Sequence, residues 1–540
     1  MKNKPNVAKF EDGSKMWEHS FDTFSAKVYV PANKLPEDII NFGFEAPYLI
    51  CFTDVLPSDE DAVRISKEKG FYDIAVAKAT SVVYVSPNTG SFKTAPDGLF
   101  EELIKNSKIH QYHEDGMAVL VNRFTHTTDG YAIRGAIFRT FIYGCGDAAD
   151  YIATHLLKTI TGEGLWGPAD VIPAGVVLEK LSVKPDIERR DMPIASIGNS
   201  AEINKVIEEG SDKVIIKESL DFKEVYEKFL KHVMRWGWVG TLTETPDFEK
   251  LNMKEEFAYA TVKTSPDNEG DDKGTKEHKV GYVAYYNKKL FDNGPVPLLL
   301  AFHGGGDSAM YIAQVSEWYR VAHDHNFLLV SIENHLNSTA TEMMELIGHL
   351  KGKYPIDSER IYASGFSMGG CKSWDMYQEY PEVFAGLAPM DATFELGLNV
   401  FGKASPVEIN KDVMVPVFYS GGEITPLPEL PFQAQKCFDR IDYVLKVNDT
   451  VKRYDTTFED RENWGNKIWG IDGDEQVKEY DSSRESTLTI ELFKSKDGNV
   501  YTALSSVSDQ GHECRYHTCE NAWKFISRFK RVNGKIEIIK

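Results

Sequence analysis

The chain has 540 residues, of which 42% are hydrophobic and 12% aromatic, so it is an ordinary globular protein too long for one compact core. Its formal net charge of −21 argues against nucleic acids and anionic membranes as partners, because both repel an acidic surface. This composition fits a soluble enzyme that acts on a small or neutral substrate.

The N-terminal residues carry basic side chains but no apolar segment behind them, so we expect no secretory leader. No stretch approaches the ~18 uninterrupted apolar residues that a membrane span needs. The six cysteines are scattered along the chain, which favours free thiols in a reducing compartment over a disulfide framework. Together these features predict a cytoplasmic protein without a membrane association.

A polar segment, Thr264–His278, has almost nothing to bury and predicts a loop. The segments on either side of it alternate apolar and polar residues and predict the two strands of a hairpin. Lys223–Trp238 spaces its apolar residues as a helix does and would close a first domain. We therefore predict two domains, residues 1–250 and residues 255–540.

Beyond the hairpin, continuous apolar runs alternate with amphipathic segments. This pattern predicts buried parallel strands joined by helices, that is, a doubly wound α/β sheet with ligands at the carboxyl ends of its strands. In chain order the predicted strands and helices are PVPLLLAFHGG, MYIAQVSEWYRVAHDHN, FLLVSIEN, TATEMMELIGHLKGKY and RIYASGF.

The first predicted strand ends in His303-Gly304-Gly305-Gly306. Glycines let a backbone approach a substrate closely and direct N–H groups at a developing oxyanion. The predicted donors are the amide of Gly304 or Gly305 and that of Met368. By itself such a loop could equally cradle a phosphate.

Residues Gly365-Phe366-Ser367-Met368-Gly369 fit the G-x-S-x-G nucleophile elbow. A predicted strand precedes the pentapeptide and a predicted helix follows it, as the elbow requires. A Cβ at either flanking position would collide with neighbouring elements, so both positions need glycine. We predict that Ser367 is a nucleophile presented above the sheet.

A general base should follow the nucleophile in chain order. His512 lies beside Gly511 after the last predicted strand and is favoured; His517, near the start of the terminal helix, is the alternative. Together with Cys514 and Cys519 these histidines have the residue types of a metal site. Their spacing matches no usual zinc pattern, so we predict no metal.

The acid that orients the histidine is the most open of the predicted roles. Glu423 is the first carboxylate after the strand VPVFYSGG and is favoured, with Glu429 as the alternative. Asp391 follows the preceding strand and is a third option.

Residues 295–529, which contain these motifs, resemble the esterases grouped with polyhydroxybutyrate depolymerases and feruloyl esterases. The resemblance rests on the HGGG strand and the helix after it, on the elbow with the stretch YPEVFAGLAPM, and on DQGHE around His512. It implies an α/β-hydrolase fold. Where that family carries an aspartate after the seventh strand this chain has Thr425, so another residue must supply the acid.

The order of predicted elements in the first half matches that of the second half, which indicates a duplicated domain without the nucleophile and the oxyanion glycines. Aligning Gly144 with Gly365 places Gly146 at the position of Ser367, and FTDV at that of the HGGG loop. Cys145 is one residue from the nucleophile position, where side chains normally point away from the site. We therefore predict two tandem α/β-hydrolase-like domains with mostly parallel sheets, the first non-catalytic.

The predicted function is a serine esterase that hydrolyses a small-molecule ester through an acyl-enzyme, without a cofactor. The alternatives are a serine peptidase of the same fold and a non-catalytic binding or scaffolding protein. The first domain would serve as a scaffold, as a wall of the cleft or as an oligomerisation surface, which leaves a homo-oligomer open.

Overall fold

A computed structural model of the protein describes residues 8–32, 47–78, 80–106, 136–158, 172–235, 242–270, 272–305, 308–399 and 412–539. The chain divides into two compact units, the first ending at Pro246 and the second beginning at Asp247. Each unit contains its own large sheet with helices packed on it.

The first unit contains strands β1 to β11, which are β1 (Ala8–Lys9), β2 (Lys15–Ser20), β3 (Phe24–Val30), β4 (Pro47–Phe52), β5 (Val82–Pro87), β6 (Ala136–Cys145), β7 (Gly175–Glu179), β8 (Ile194–Ile197), β9 (Val214–Lys217), β10 (Val233–Arg235) and β11 (Leu242–Glu244). Its helices are α1 (Asp59–Glu68), α2 (Phe71–Ala77), α3 (Leu99–Asn106), α4 (Asp147–Tyr151), α5 (Ala201–Gly210) and α6 (Phe222–Lys228).

Within the described residues, nine strands of this unit form a sheet in the order β1-β2-β3-β5-β4-β6-β7-β8-β9. The strands from β5 to β9 along this order are parallel, and β1, β2 and β3 are antiparallel additions at one edge. The predicted mostly parallel sheet is therefore present in the first unit.

The helix predicted over Lys223–Trp238 is too long. Helix α6 ends at Lys228, and Val233–Arg235 instead forms β10, which pairs with β11. The Arg235 side chain is fully buried and donates to the Pro173 carbonyl oxygen at 2.6 Å. Local periodicity could not indicate this pairing, because the partner strand lies farther along the chain. Residues 236–238 lie outside the described residues.

The second unit contains strands β12 to β23, which are β12 (Met253–Lys263), β13 (Glu277–Asn287), β14 (Val296–Phe302), β15 (Leu328–Ile332), β16 (Ile356–Phe366), β17 (Gly386–Met390), β18 (Val417–Gly422), β19 (Glu475–Asp481), β20 (Ser486–Lys494), β21 (Val500–Val507), β22 (Phe529–Val532) and β23 (Lys535–Ile538). Its helices are α7 (Ala309–Gln314), α8 (Trp318–His325), α9 (Ala340–Lys353), α10 (Met368–Glu379), α11 (Gln435–Val447) and α12 (Tyr516–Ile526).

The described part of this unit has a sheet in the order β12-β13-β15-β14-β16-β17-β18-β21-β20-β19. Strands β15 to β21 along this order are parallel, and apart from the first five residues of β16 they are almost wholly buried, as their continuous apolar sequences predict. The predicted hairpin is confirmed, since β12 and β13 pair antiparallel around the polar loop.

The helix predicted after β14 is interrupted. Helices α7 and α8 are separated by residues 315–317, where Glu317 adopts a φ of 58°. The Ser316 hydroxyl donates to the Ile312 carbonyl oxygen, so it competes with the helical hydrogen-bond pattern at the break.

The two sheets share one strand order over their central part. The order β3-β5-β4-β6-β7-β8 of the first unit is repeated as β13-β15-β14-β16-β17-β18 in the second. The register shifts at the start of β4 against β6, and again at the start of β14 against β16. The turn after β6 therefore corresponds to the turn after β16.

Candidate active site

Ser367 lies in a tight turn between β16 and α10, with φ 54° and ψ −120°. Positive φ is uncommon for a residue with a side chain, so the surrounding structure must hold this turn. The Ser367 N–H donates to the Met390 carbonyl oxygen at 3.0 Å and thereby ties the turn to β17. Ser367 is thus held at the carboxyl end of the sheet, as a nucleophile elbow requires.

The two flanking glycines have no room for a side chain. A Cβ on Gly365 would lie 2.1 Å from the carbonyl oxygen of Gly369, and one on Gly369 would lie 2.0 Å from that of Phe302. Helix α10 therefore packs directly against the backbone of β14 and β16. The predicted need for glycine at both positions is confirmed.

His512 follows β21 and is 5% exposed. Its Nε2 lies 2.8 Å from Ser367 Oγ, and its ring packs on that of Phe366 with 4.7 Å between centroids. A serine hydroxyl that donates to Nε2 requires the tautomer with its proton on Nδ1. Burial lowers the pKa of His512, so the neutral ring is favoured.

His517 does not reach Ser367. It lies in α12, and its Nε2 contacts Glu479 at 2.7 Å on the edge strand β19. Cys514 and Cys519 place their sulfur atoms 3.5 Å apart, and both thiols are buried. The described residues contain no group of three or more His, Cys, Asp or Glu side chains arranged to hold a metal ion.

The carboxylate beside His512 belongs to Glu429, whose Oε1 forms a short contact with Nδ1. The preference for Glu423 is wrong as a matter of geometry. Glu423 still pairs through its N–H with Val507 of β21, and its Oε1 accepts from the Ser506 hydroxyl at 2.8 Å. A residue held in the strand register cannot turn towards His512, whereas Glu429 returns on the following loop.

Two contacts fix the loop that carries Glu429. The Tyr419 hydroxyl donates to the Glu429 carbonyl oxygen at 2.5 Å, and the Glu429 N–H donates to Gln433 Oε1 at 2.8 Å. Glu429 as a whole is 2% exposed. Burial raises the pKa of Glu429 to about 8, and hydrogen bonds from Asp391 and Thr425 oppose this rise.

Asp391, the third predicted option for the acid, follows β17 and is also buried. Its Oδ1 accepts from the Gly422 N–H at 3.0 Å, and its side chain contacts Glu429 rather than His512. The three candidate carboxylates therefore make different contacts. Glu429 contacts the His512 ring, Asp391 contacts Glu429, and Glu423 contacts Ser506 of β21.

The glycine loop after β14 lies beside the elbow. Phe302 pairs with Gly365, and a Cβ on Gly305 would lie 2.7 Å from Met368 Sδ. The buried His303 ring fixes the start of the loop, with Nε2 2.7 Å from the Glu333 carbonyl oxygen. Gly304 and Gly305 thus adjoin the residue after Ser367, where the oxyanion donors are expected. Gly306 lies outside the described residues.

The first unit contains the same turn without the hydroxyl. Gly146 has φ 62° and ψ −125°, and its N–H donates to the Glu179 carbonyl oxygen at 3.0 Å. A Cβ on Gly144 would lie 2.8 Å from the backbone of Ala148, so this glycine also lets a helix pack closely. After β4, the Asp54 carboxylate accepts the Phe92 N–H at 2.7 Å, where the second unit has its glycine loop.

No helix in the described part of the chain is both long and apolar enough to cross a membrane.

No established protein-family profile matches the chain. It is 22% identical over 249 residues to a bifunctional acetylxylan esterase/xylanase of Neocallimastix patriciarum, a match that covers 44% of this chain and 32% of that protein. It is 27% identical over 129 residues to poly(3-hydroxyalkanoate) depolymerase C of Paucimonas lemoignei, covering 19% of this chain and 31% of the relative. The matches therefore span about a third of the length of either curated relative.

Among solved structures, an acetyl xylan esterase from Aspergillus awamori aligns with a TM-score of 0.32 and 12% identity, over 50% of this chain and 99% of that one. A ferulic acid esterase aligns with a TM-score of 0.29 and 12% identity, over 51% of this chain and 98% of the other. The curated relatives confirm the resemblance predicted from the motifs, since the chain is similar in sequence to an acetylxylan esterase and to a poly(3-hydroxyalkanoate) depolymerase.

Proposed function

We propose that the second unit is a serine esterase that hydrolyses carboxylic esters of small soluble substrates. Ser367 is the nucleophile, His512 the general base and Glu429 the acid. The observation that carries the proposal is the continuous contact from Ser367 Oγ through both ring nitrogens of His512 to Glu429 Oε1. This is the geometry by which an imidazole removes a proton from a hydroxyl group while a carboxylate holds its tautomer.

In the first half of the reaction Ser367 Oγ attacks the ester carbonyl carbon while His512 Nε2 takes its proton. The oxyanion of the tetrahedral intermediate accepts hydrogen bonds from the amide of Met368 and from that of Gly304 or Gly305. When the intermediate collapses, the C–O bond to the alcohol breaks and Nε2–H protonates the departing alkoxide. The acyl group is left on Ser367.

In the second half, His512 removes a proton from a water molecule that attacks the acyl-enzyme carbonyl. The new tetrahedral intermediate collapses, the carboxylic acid leaves, and Nε2 returns the proton to Ser367 Oγ. During each attack the ring is positively charged, and the Glu429 carboxylate stabilises that charge. Burial of both groups strengthens this interaction, because little water competes for it.

Short acyl and aryl esters are the substrate class that we propose. The curated relatives are named for acetylxylan and for poly(3-hydroxyalkanoate). The side chain next to the nucleophile, Met368, is uncharged and 37% exposed, which suits an apolar acyl or aryl group. The net charge of −21 also disfavours anionic substrates.

The proposal is tested by incubating the folded protein with a fluorophosphonate probe and locating the label by peptide mass spectrometry. We expect the label on Ser367, and none in a Ser367→Ala variant. A panel of acetyl, butyryl and hydroxycinnamoyl aryl esters, with a peptide anilide beside it, then separates esterase from peptidase. Absence of label from wild-type Ser367 would refute the enzyme assignment.

We infer further that the first unit is a hydrolase-like copy without a nucleophile. The shared central strand order and the matching turns at Gly146 and Ser367 support this. Cys145 precedes the turn, and burial raises the pKa of its thiol, which disfavours the nucleophilic thiolate. If this unit had a serine or cysteine nucleophile of its own, the Ser367→Ala variant would still be labelled there.

A further inference from the structure

Asp391 occupies an unusual backbone position at the carboxyl end of β17. Its φ is 51°, and its N–H donates to the Ser420 carbonyl oxygen at 2.8 Å. With Oδ1 held by the Gly422 N–H, the side chain is fixed to the ends of two sheet strands, β17 and β18. Asp391 is therefore a rigid group beneath the loop that carries Glu429.

The carboxyl groups of Asp391 and Glu429 are in hydrogen-bond contact. Glu429 Oε1 already contacts His512, Oε2 is buried, and the Thr425 hydroxyl is a further hydrogen-bond partner of this carboxyl group. Two ionised carboxylates can only accept hydrogen bonds. A contact between these two groups is stable only when one of them carries a proton.

The surroundings decide which group holds that proton. The charged groups that act on Asp391 are Glu429 and His512, while Tyr419 and Cys514 lie near enough to be affected by its charge. Burial and the neighbouring Glu429 raise the pKa of Asp391 well above its usual range. Glu429, in contrast, faces His512 Nδ1, which as an N–H donor favours the ionised carboxylate.

We infer that Asp391 is a positioning residue that stays protonated and donates a hydrogen bond to Glu429 Oε2, leaving Glu429 as the only negative charge behind His512. This inference rests on the proposed function, because it assigns Asp391 to the orientation of the catalytic acid. It also accounts for the departure at Thr425. An acid carried on a loop needs a second anchor, and Asp391 supplies it from the sheet.

Two substitutions of Asp391 test whether this residue acts as a neutral hydrogen-bond donor or as a negative charge. In Asp391→Asn the amide still donates to Glu429, its oxygen still accepts from Gly422, and no ionisation occurs at any pH. We expect this variant to keep kcat within about threefold of the wild-type value. In Asp391→Ala the donor is lost, and we expect kcat to fall roughly tenfold to a hundredfold with little change in KM, as for other supporting residues of a site.

The pH dependence of kcat/KM provides a second test, because a purely structural role of Asp391 would not shift it. Without its donor the Glu429 carboxylate is more basic and stabilises the His512 imidazolium more strongly, so the pKa of His512 rises. The acidic limb of kcat/KM should therefore move to higher pH in Asp391→Ala and stay in place in Asp391→Asn. Equal impairment of both variants would mean that the charge of Asp391 is used, and an unimpaired Asp391→Ala variant would mean that it has no role. Either result overturns the inference.

Infrared spectroscopy tests whether Asp391 is protonated, independently of enzyme activity. In deuterium oxide at neutral pH, the difference spectrum between wild type and Asp391→Asn should contain the carbonyl band of a neutral carboxylic acid, and the matched variant Glu423→Gln should not remove that band. Absence of the band from the wild-type protein would overturn the inference even if the enzyme is active. Conversely, failure of Ser367 to react with a fluorophosphonate would refute the proposed function, while the band would still decide the state of Asp391.

Discussion

His512 Nε2 lies 2.8 Å from Ser367 Oγ, although 145 residues separate the two in the chain. Ser367 follows β16 and His512 follows β21, and in the sheet β17 and β18 lie between these strands. The loop after β21 therefore carries His512 across the ends of β17 and β18. The space beneath it is filled by Asp391 from the end of β17 and by Glu429 from the loop after β18.

Substitution of the acid should distinguish the two glutamates. In Glu429→Gln the amide cannot stabilise the imidazolium and can favour the wrong tautomer, so we expect kcat to fall roughly a thousandfold to ten-thousandfold. Glu423→Gln is the matched control, because Glu423 contacts Ser506 and not His512. Steady-state hydrolysis of an aryl ester measures both. If Glu423→Gln lost more activity than Glu429→Gln, the assignment of the acid would be wrong.

The acidic limb of the pH profile should lie below pH 6.5, the ordinary pKa of histidine. A general base works only when neutral, that is, above its pKa, and burial lowers the pKa of His512. Burial also raises the pKa of Glu429 to about 8, which by itself would place the limb higher. Because neutral His512 donates Nδ1–H to Glu429 and so favours the carboxylate, we expect the histidine to set the limb.

The measurement is kcat/KM for an uncharged ester as a function of pH, since this ratio reports the free enzyme. A midpoint near pH 8, to which burial raises the pKa of Glu429, would instead assign the controlling proton to that carboxyl group.

The packing of the elbow predicts a severe effect of one added methyl group. A Cβ in Gly369→Ala would lie 2.0 Å from the Phe302 carbonyl oxygen, so α10 must move away from β14. We expect the free energy of unfolding to fall by about 3 kcal/mol or more, with loss of fluorophosphonate labelling. Urea denaturation followed by tryptophan fluorescence measures the change.

Gly348→Ala is the matched control. Gly348 is exposed on helix α9, and a Cβ there meets no atom within 4 Å. Since alanine is the better helix former, this variant should be more stable by roughly 0.5–1 kcal/mol and fully active. Similar destabilisation of both variants would show that close packing does not explain the glycine at position 369.

Restoring a hydroxyl to the first unit should not restore activity. In a Ser367→Ala background, Gly146→Ser places a serine in a turn with nearly the same backbone angles. The loop after β4, however, carries Asp54 in place of the oxyanion glycines. A negative charge there opposes a developing oxyanion, so we expect neither ester hydrolysis nor fluorophosphonate labelling. Labelling of the new serine would show that the first unit retains a working site.

The proposed nucleophile and the proposed base could be predicted from the sequence because their signals are local. Glycines flanking Ser367 mark a turn that no other residue type can form at this packing distance, and His512 follows the last strand of the parallel sheet beside a glycine. The alternation of apolar runs with amphipathic segments likewise predicted the mostly parallel sheet. The roles of the first domain and the cytoplasmic location stay predictions.

Only the tertiary structure distinguished the carboxylate that contacts His512. Glu423 is nearer to the strand end, but its backbone is still paired with β21, while Glu429 returns to His512 because Tyr419 and Gln433 fix the loop. The helix that ended at Lys228 has a related cause, because pairing of β10 with β11, which lies just beyond the predicted helix, overrode local periodicity. The sequence by itself indicated the chemistry that we propose. The path of a loop, which depends on its tertiary contacts, decided which carboxylate lies beside His512.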